Sequence, residues 1–322
     1  MSGLPETDMV RPVRTVCPEC HGELARDESR DLKCLQCGAL YPERAEVDVF
    51  LTEAEWNDCL LKLDRHEESF EQYSHTRRQS LLTSLYYDMW ASRILEQLPD
   101  QFTGPLLESM AGGCEITRRL PARIQIAVAL DRNVRSIEGA ARTFAAAGET
   151  RIQAICGTVE RLPFPDESFG AVVVQGGLHH IRPHLGQVLS EIYRVLTPRG
   201  IFVGSEPADD CWITERIRKF QYRTSKYQGY DAGESGFTES GLKKDMANAG
   251  LELESYRRLG FIAYPLMCNL DLLPVLGPFQ WHSLGQTLLS LDALMERMPG
   301  IRELAWINLF RARKLQFPED AC

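Results

Sequence analysis

The chain has 322 residues, of which 44% are hydrophobic and 25% are charged, and its formal net charge is −9. This composition excludes disordered and collagen-like chains, and the length suits one large domain with a smaller accessory domain. The acidic balance disfavours a general attraction to nucleic acids, and no apolar run reaches the ~20 residues of a membrane helix. The first residues, MSGLPETDMVRPVR, lack the apolar stretch of a secretory signal. That predicts a cytoplasmic protein whose ten cysteines are free thiols or metal ligands.

Residues 1–48 contain two closely spaced cysteine pairs. Cys17 and Cys20 form one C-x2-C pair, and Cys34 and Cys37 form another after a stretch that is predicted to be a short hairpin. This spacing lets two tight turns present four thiolates to one tetrahedral Zn²⁺, and the alternative is four unrelated thiols. A zinc ion with four sulfur ligands has no open position. We therefore predict a structural zinc ribbon here and catalysis elsewhere.

Residues 49–100 are predicted to be a helical connector or lid. Thr52 and Glu55 form a capping box, which predicts a helix that starts at residue 53. A second helix is predicted over LLTSLYYDMWASRILEQL, because its apolar side chains recur every three or four residues. Tyr86, Tyr87 and Trp90 on this helix either belong to the core or form a lid over a cofactor pocket, and the sequence leaves both interpretations open.

Residues 101–322 alternate short apolar runs with helical patterns. The runs include PLLESM, IQIAVALD, RIQAICG, FGAVVVQ and GIFVGSEP. Strands that alternate with helices predict βαβ crossovers and a mostly parallel sheet that helices cover on both faces. The predicted fold class is therefore α/β, with a doubly wound, Rossmann-like sheet. Such sheets bind ligands at the carboxyl ends of their strands.

Two of these strand ends carry residues that suit a nucleotide-like ligand. Glu108 comes shortly before Gly112 and Gly113, and glycines after a strand let the backbone approach a ligand closely. Asp131 ends the second strand, where a carboxylate can accept hydrogen bonds from both hydroxyls of a ribose. The alternative is that Glu108 and Asp131 are ordinary carboxylates at strand ends.

Several longer phrases resemble a known family. GTVERLPFPDESFGAVVVQGGLHHI and LSEIYRVLTPRGIFVGSEP resemble motifs of the class I S-adenosylmethionine-dependent methyltransferases, in the branch of the ubiquinone and menaquinone biosynthesis methyltransferases. The resemblance covers roughly residues 80 to 315 and implies a seven-stranded methyltransferase sheet. The cysteine-containing stretch VCPECHGELARDESRDLKCLQCGALYP resembles the zinc ribbons of methyltransferase activator proteins and of ribosomal RNA guanine methyltransferases.

This resemblance implies that S-adenosylmethionine is the cofactor and that six residues hold it. Carried over by position, they are Glu108 and Gly112 for the methionine end, Asp131 for the ribose, Thr158 and Val159 for the adenine edge, and Gln175 for the methyl group. The sequence also departs from the family pattern. Met110 and Cys114 replace two of the three glycines of the first loop, and Thr158 replaces a common aspartate. Side chains in that loop are expected to crowd the cofactor, so an altered or weakened cofactor site is also considered.

His179 and His180 follow the fourth strand of the resemblance and are the candidate general bases, because an imidazole titrates near neutrality. The alternative is that they cap or pack the following helix. Two helical insertions are predicted. One spans about residues 208–235 and interleaves basic with aromatic residues, and the other spans residues 261–300 and is apolar. The first suits an anionic or aromatic substrate, RNA, or a solvated helix face, and the second suits a substrate pocket, a homodimer face, or plain core.

The sequence favours an S-adenosylmethionine-dependent methyltransferase that acts on a small, hydrophobic or aromatic metabolite. Ribosomal or transfer RNA is the alternative acceptor, but residues 1–50 carry ten acidic and six basic side chains, which disfavours a nucleic acid partner. A third hypothesis is a catalytically inactive methyltransferase-like binding protein, which the changed residues Met110, Cys114 and Thr158 motivate.

Overall fold

The computed structural model describes residues 12–61, 80–209, 216, 236–268, 281–298 and 300–316. These residues form a small antiparallel sheet near the N-terminus and a large mixed sheet with helices on both faces. The α/β methyltransferase fold that the sequence predicted is confirmed, together with the small N-terminal sheet. Among these described ranges, no helix is both long and apolar enough to cross a membrane.

The small sheet carries the four paired cysteines. Its strands are β1 (Leu24–Arg26), β2 (Leu32–Cys34) and β3 (Leu40–Tyr41), and they are antiparallel in sequence order. The predicted hairpin is formed by β1 and β2, where Leu24 lies opposite Cys34. Asp27 closes its turn by accepting hydrogen bonds from the amides of Ser29 and Asp31. This turn brings the second cysteine pair back beside the first.

The large sheet has eight strands, in the spatial order β10-β11-β9-β8-β5-β6-β7-β4. They are β4 (Asp48–Phe50), β5 (Leu106–Ser109), β6 (Ala127–Asp131), β7 (Ile152–Gly157), β8 (Phe169–Gln175), β9 (Leu196–Pro207), β10 (Leu251–Leu259) and β11 (Ile307–Lys314). The run from β4 to β9 is parallel, and β11 is antiparallel to both β9 and β10. The order reverses beside β5, so the ends of β5 and β8 form the crevice where such sheets bind ligands.

Strand β4 is an addition to the predicted seven-stranded sheet. It pairs in parallel with β7, so that Asp48 lies opposite Ile155 and Phe50 lies opposite Gly157. Phe50 is fully buried, and its ring contacts the Tyr41 ring at 5.6 Å between centroids. The predicted boundary between residues 48 and 49 therefore falls inside a strand that connects the small sheet to the large one.

Helices cover the two faces of the large sheet. A helix starts at residue 53 and is described to residue 61; we call it α1. The others are α2 (Leu81–Leu95), α3 (Val134–Ala146), α4 (Leu185–Val195), α5 (Glu239–Asn248) and α6 (His282–Met295). The predicted capping box of α1 is present, because the amide of Thr52 donates to Glu55 at 2.8 Å and the amide of Glu55 donates back to Thr52.

The aromatic residues of α2 lie in the core. Tyr86 and Trp90 are both 2% exposed, their rings stack at 5.6 Å, and Trp90 Nε1 donates to Ser205 Oγ at 2.9 Å. Tyr87 is partly buried and contacts Tyr86 edge-on. Because these side chains are already packed against the sheet, the structure favours the core interpretation for Tyr86 and Trp90 over the lid.

Of the two predicted insertions, the first lies almost entirely outside the described residues. The second contains a π-helical turn (Tyr264–Cys268) and α6. Asp292 of α6 is buried and accepts hydrogen bonds from the amides of Phe261, Ile262 and Ala263. These three hydrogen bonds attach α6 to the segment that follows β10.

Candidate functional site

The four paired cysteines converge at the base of the small sheet. The sulfurs of Cys17 and Cys37 are 3.7 Å apart, those of Cys20 and Cys34 are 3.4 Å apart, and all four lie within 4.8 Å of one another. Sulfurs that each lie about 2.3 Å from a tetrahedral zinc ion are separated by about 3.8 Å. The donor set and its spacing therefore fit a zinc ion that is held by thiolates alone.

Backbone amides prepare one of these sulfurs to carry charge. The amides of Cys37 and Gln36 both point at Cys34 Sγ from 3.4 Å, and they lower the pKa of that thiol to about 6. The Gly22 amide acts in the same sense on Cys20, but burial and hydrogen bonds to the other three cysteines prevail and raise the pKa of Cys20 to about 12. Because a thiol must lose its proton to bind a metal, the lowered pKa of Cys34 favours binding of a divalent cation.

The cysteine cluster is attached to the loop that follows β7. The amide of Val16 donates to the carbonyl oxygen of Pro163 at 2.9 Å. Arg161 forms ion pairs with Glu19, which lies between the first two cysteines, and with Glu55 of α1. The small sheet therefore positions the residues that follow the end of β7.

The loop after β5 keeps the backbone of a glycine-rich turn. Met110, Gly112 and Cys114 have φ values of 56°, 50° and 58°, all in the left-handed region that favours glycine. A non-glycine residue in this region costs roughly 1–2 kcal/mol. Cys114 points inward and is fully buried, and Met110 lies against Gly177. Met110 therefore crowds the turn at Gly177, whereas neither side chain covers the open face of Gly112.

Glu108 is buried beneath this loop. Its two carboxylate oxygens accept hydrogen bonds from the amides of Ile116 (3.0 Å) and Thr117 (2.7 Å), and the residue is only 2% exposed. Burial raises the pKa of Glu108 to about 7, although hydrogen bonds from Thr117 and Ile116 oppose the rise. In this arrangement Glu108 holds the loop, and its contact with the methionine end of a cofactor stays a prediction.

Asp131, at the end of β6, retains acceptor capacity. One oxygen accepts from the amide of Gly112 at 2.7 Å, and the other accepts from the amide of Asn133 at 2.8 Å. Because a carboxylate offers about four lone-pair positions, each oxygen keeps one for a ligand. Burial raises the pKa of Asp131 above its usual value, and those two amides work against the rise. The residue is partly exposed at the crevice.

Two glycines of the crevice, Gly112 and Gly176, border open space. A Cβ atom added to Gly112 or to Gly176, after β8, would meet no atom of the described residues within 4 Å. One added to Gly177 would instead lie 2.7 Å from Met110 Sδ. The residues present therefore fit the ribose end of S-adenosylmethionine, whereas the Met110 side chain beside Gly177 narrows the end that would hold the methionine group.

The remaining predicted contacts lie at the ends of neighbouring strands. Thr158 and Val159 follow β7 and are buried, at 6% and 3% exposure, and Gln175 ends β8 and is partly buried. They line the same carboxyl edge of the sheet as Asp131. Their roles in holding a cofactor stay predictions.

The turn after β8 contains the two candidate bases. His179 is partly buried, His180 is exposed, and their rings lie 3.9 Å apart. His179 Nδ1 contacts a carboxylate oxygen of Glu206 at 2.8 Å. Glu206 was missed by the sequence analysis, although it lies near the end of β9 and obeys the rule for strand ends that selected Asp131.

Comparisons with known proteins agree with this geometry. Residues 107–204 match the family model described as a methyltransferase domain. The matched stretch is less than a third of the chain. Within it, Asp131, the two histidines and the glycines that border open space lie at the carboxyl edge of the sheet. The match shows that this stretch is similar to methyltransferases. It does not identify the molecule that accepts the methyl group.

Individual relatives match only short parts of the chain. The 2-methoxy-6-polyprenyl-1,4-benzoquinol methylase of Drosophila melanogaster is 48% identical over 48 residues, which is 15% of this chain and 16% of that protein. The 24-methylenesterol C-methyltransferase 2 of Oryza sativa is 36% identical over 70 residues, which is 21% of this chain and 17% of that protein. The chain thus spans about a sixth of the length of these relatives.

A solved structure shows the same fold over a longer stretch. It belongs to a protein of Galdieria sulphuraria that is assigned as a sarcosine dimethylglycine methyltransferase. Its identity to this chain is 17%, its TM-score is 0.52, and the alignment covers 72% of this chain and 86% of that one. At this identity the likeness shows the fold alone.

Proposed function

We propose that this protein transfers the methyl group of S-adenosylmethionine to a small, hydrophobic or aromatic metabolite. One observation carries the proposal. Within a methyltransferase domain, the Asp131 carboxylate keeps two acceptor positions beside the open backbone of Gly112. Two adjacent hydroxyls of a ribose are the groups that such a carboxylate accepts at this point of a doubly wound sheet.

In the proposed arrangement, residues at the ends of neighbouring strands contact different parts of the cofactor. Asp131 binds the ribose, Thr158 and Val159 border the adenine, and Gln175 faces the methyl group. When it is bound, the cofactor supplies an electrophilic methyl group on a sulfonium. The protein's own contribution is to orient the acceptor, to exclude water, and to accept the acceptor's proton at a histidine of the turn after β8.

A small acceptor is favoured over RNA by two features. The chain is acidic overall, and the described part of the second insertion presents apolar side chains, among them Trp281, Leu291 and Leu294, which are 61%, 43% and 57% exposed. The benzoquinol and sterol relatives are consistent with an apolar acceptor. On the basis of the same relatives, we propose that the protein belongs to the branch of the ubiquinone and menaquinone methyltransferases.

We further propose that the four cysteines hold a structural zinc ion. Their sulfur spacing supports this, and Glu19 and Val16 connect the cluster to the loop after β7. In this proposal the metal acts at a distance. It holds the small sheet against the edge of the large one and takes no part in the reaction.

A second candidate is a binding protein that has lost methyl transfer. It is favoured by the side chain of Met110 over Gly177 and by the Glu108 oxygens that the loop amides occupy. The Met110 side chain narrows the methionine end of the crevice, and the loop amides use part of the acceptor capacity of Glu108. This candidate requires that S-adenosylmethionine binds no more tightly than a nucleoside fragment does.

Calorimetric titration with S-adenosylmethionine and with adenosine separates the two candidates. The methyltransferase proposal expects that S-adenosylmethionine binds at least about tenfold more tightly than adenosine. Asp131→Asn removes a charge-assisted acceptor, which is worth roughly 1.5–3 kcal/mol, so both affinities should fall about 10- to 100-fold. Asp166→Asn, which makes the same change at an exposed carboxylate paired with Arg194, is the control. Equal affinities for the two ligands would support the binding protein.

A further inference from the structure

Glu206 is a buried carboxylate whose hydrogen bonds within the described part of the chain all go to one turn. It is 0% exposed and lies near the end of β9. One of its oxygens accepts from the amides of Gly177 (2.9 Å) and Leu178 (2.8 Å). The other accepts from the amide of His179 at 3.3 Å and meets His179 Nδ1 at 2.8 Å. These four contacts use all the lone-pair positions of a carboxylate, which compensates for its lost hydration.

This arrangement fixes the hydrogen on the His179 ring. A carboxylate can only accept, so Nδ1 must be the ring nitrogen that carries the hydrogen, and in the neutral imidazole Nε2 then holds the lone pair. Among the described residues, Nε2 has no hydrogen-bond partner. The side chain retains 13% exposure at the carboxyl edge of the sheet, so Nε2 is the atom through which His179 can meet a ligand.

We propose that Glu206 is a positioning residue that presents His179, and not its neighbour His180, as the proton acceptor of the methyl transfer. The inference rests on the proposed function and narrows its substrate class. A fixed proton acceptor is useful only where the reacting atom of the acceptor carries a proton, as in a phenol, another hydroxyl compound or an acidic C–H group. Thioethers and tertiary amines do not need one.

The proposed step balances. The acceptor atom uses an electron pair to form a bond to the methyl carbon, and the carbon–sulfur bond breaks with its pair left on sulfur, which changes the sulfonium into a thioether. The proton of the acceptor atom moves to His179 Nε2. The resulting imidazolium is stabilised by Glu206, which stays a carboxylate throughout.

Glu206→Gln tests the positioning role with little change of shape. The carbonyl of the substituted side chain can still accept from Gly177 and Leu178, but its NH₂ group would donate to His179 Nδ1 and so move the ring hydrogen to Nε2. Long-range ¹H–¹⁵N spectra of the imidazoles report this tautomer without any turnover. His184→Gln is the control, because His184 is exposed at the start of α4 and is the third histidine of the same segment.

We expect His179 to carry its hydrogen on Nδ1 in the natural protein and in His184→Gln, and on Nε2 in Glu206→Gln. Saturation with S-adenosylhomocysteine should shift the His179 Nε2 resonance. A natural protein with the hydrogen on Nε2, or a Glu206→Gln spectrum that is unchanged, overturns the positioning role. Bound S-adenosylhomocysteine that leaves His179 unmoved overturns its place at the reaction. Failure of S-adenosylhomocysteine to bind counts against the proposed function, and the tautomer still decides the role of Glu206.

Discussion

Glu108 offers a test of how the buried loop beneath the crevice works. Its pKa is raised from 4.5 to about 7 by burial, so between these values the folded protein holds a proton that the unfolded chain has released. Stability falls with pH wherever the folded state binds more protons, so Glu108 should make the protein progressively less stable from about pH 4.5 to pH 7. Glu108→Gln removes this contribution.

The size of the effect follows from the two pKa values. Each pKa unit corresponds to about 1.4 kcal/mol, which gives about 3 kcal/mol over the whole window and about 2.5 kcal/mol between pH 5 and pH 8. The variant also loses one amide hydrogen bond, because the NH₂ group of the substituted side chain cannot accept from Thr117. That loss costs about 1–3 kcal/mol at every pH and does not alter the slope.

Urea unfolding of the zinc-loaded protein at pH 5, 6, 7 and 8 measures the difference in free energy of unfolding between natural protein and variant. We expect this difference to fall by about 2–3 kcal/mol as the pH rises from 5 to 8. Ser109→Ala, which removes a neighbouring buried hydroxyl that does not titrate, should give a constant difference. A constant difference for Glu108→Gln as well would refute the reasoning.

Three further outcomes are expected. Phe50→Ala should lower the free energy of unfolding by about 3–5 kcal/mol, because the ring is fully buried between the two sheets, and urea unfolding with bound zinc checks this. Cys34→Ser, or removal of zinc by a chelator, should raise hydrogen exchange in β7 as well as in the small sheet, and exchange that rises in the small sheet alone would contradict the proposed attachment. Met110→Gly should relieve roughly 1–2 kcal/mol of backbone strain and open the crevice at Gly177, so calorimetry should show tighter binding of S-adenosylmethionine, whereas Cys114→Gly, the control, relieves similar strain without opening the crevice.

The sequence predicted those features that have a local cause. The capping box at Thr52 and Glu55 needs only four consecutive residues, and the strands of the large sheet are short apolar runs between helical patterns. The spacing of the cysteine pairs predicted that the four sulfurs lie close together, because each C-x2-C pair already places two sulfurs on one turn.

Features that depend on distant partners escaped prediction. Strand β4 has three residues and pairs with β7, which lies far along the chain, so nothing in its own sequence marks it as a strand. Glu206 lies at a strand end like many carboxylates, and its role arises because the turn after the neighbouring strand β8 aims three amides at it.

The conformation of the loop after β5 escaped prediction for a different reason. The sequence showed that Met110 and Cys114 are not glycine, and it predicted crowding. It could not show that the backbone would adopt the glycine conformation regardless, since the strain of roughly 1–2 kcal/mol at each position is offset only by contacts that the fold creates. Cys114 fits a fully buried space, and Met110 lies against Gly177.

The pairing of β4 with β7 also decides what the protein exposes when the small sheet is lost. Without β4, the strand Ile152–Gly157 would present a free row of amides and carbonyls over the sequence IQAICG, which has no charge and no proline. Such an edge can add a strand from another molecule. β4 ends the sheet with three residues, and the first of them, Asp48, is held in an ion pair with Arg26. If the four cysteines hold zinc as proposed, loss of the metal should free this edge, and self-association of the protein is the expected consequence.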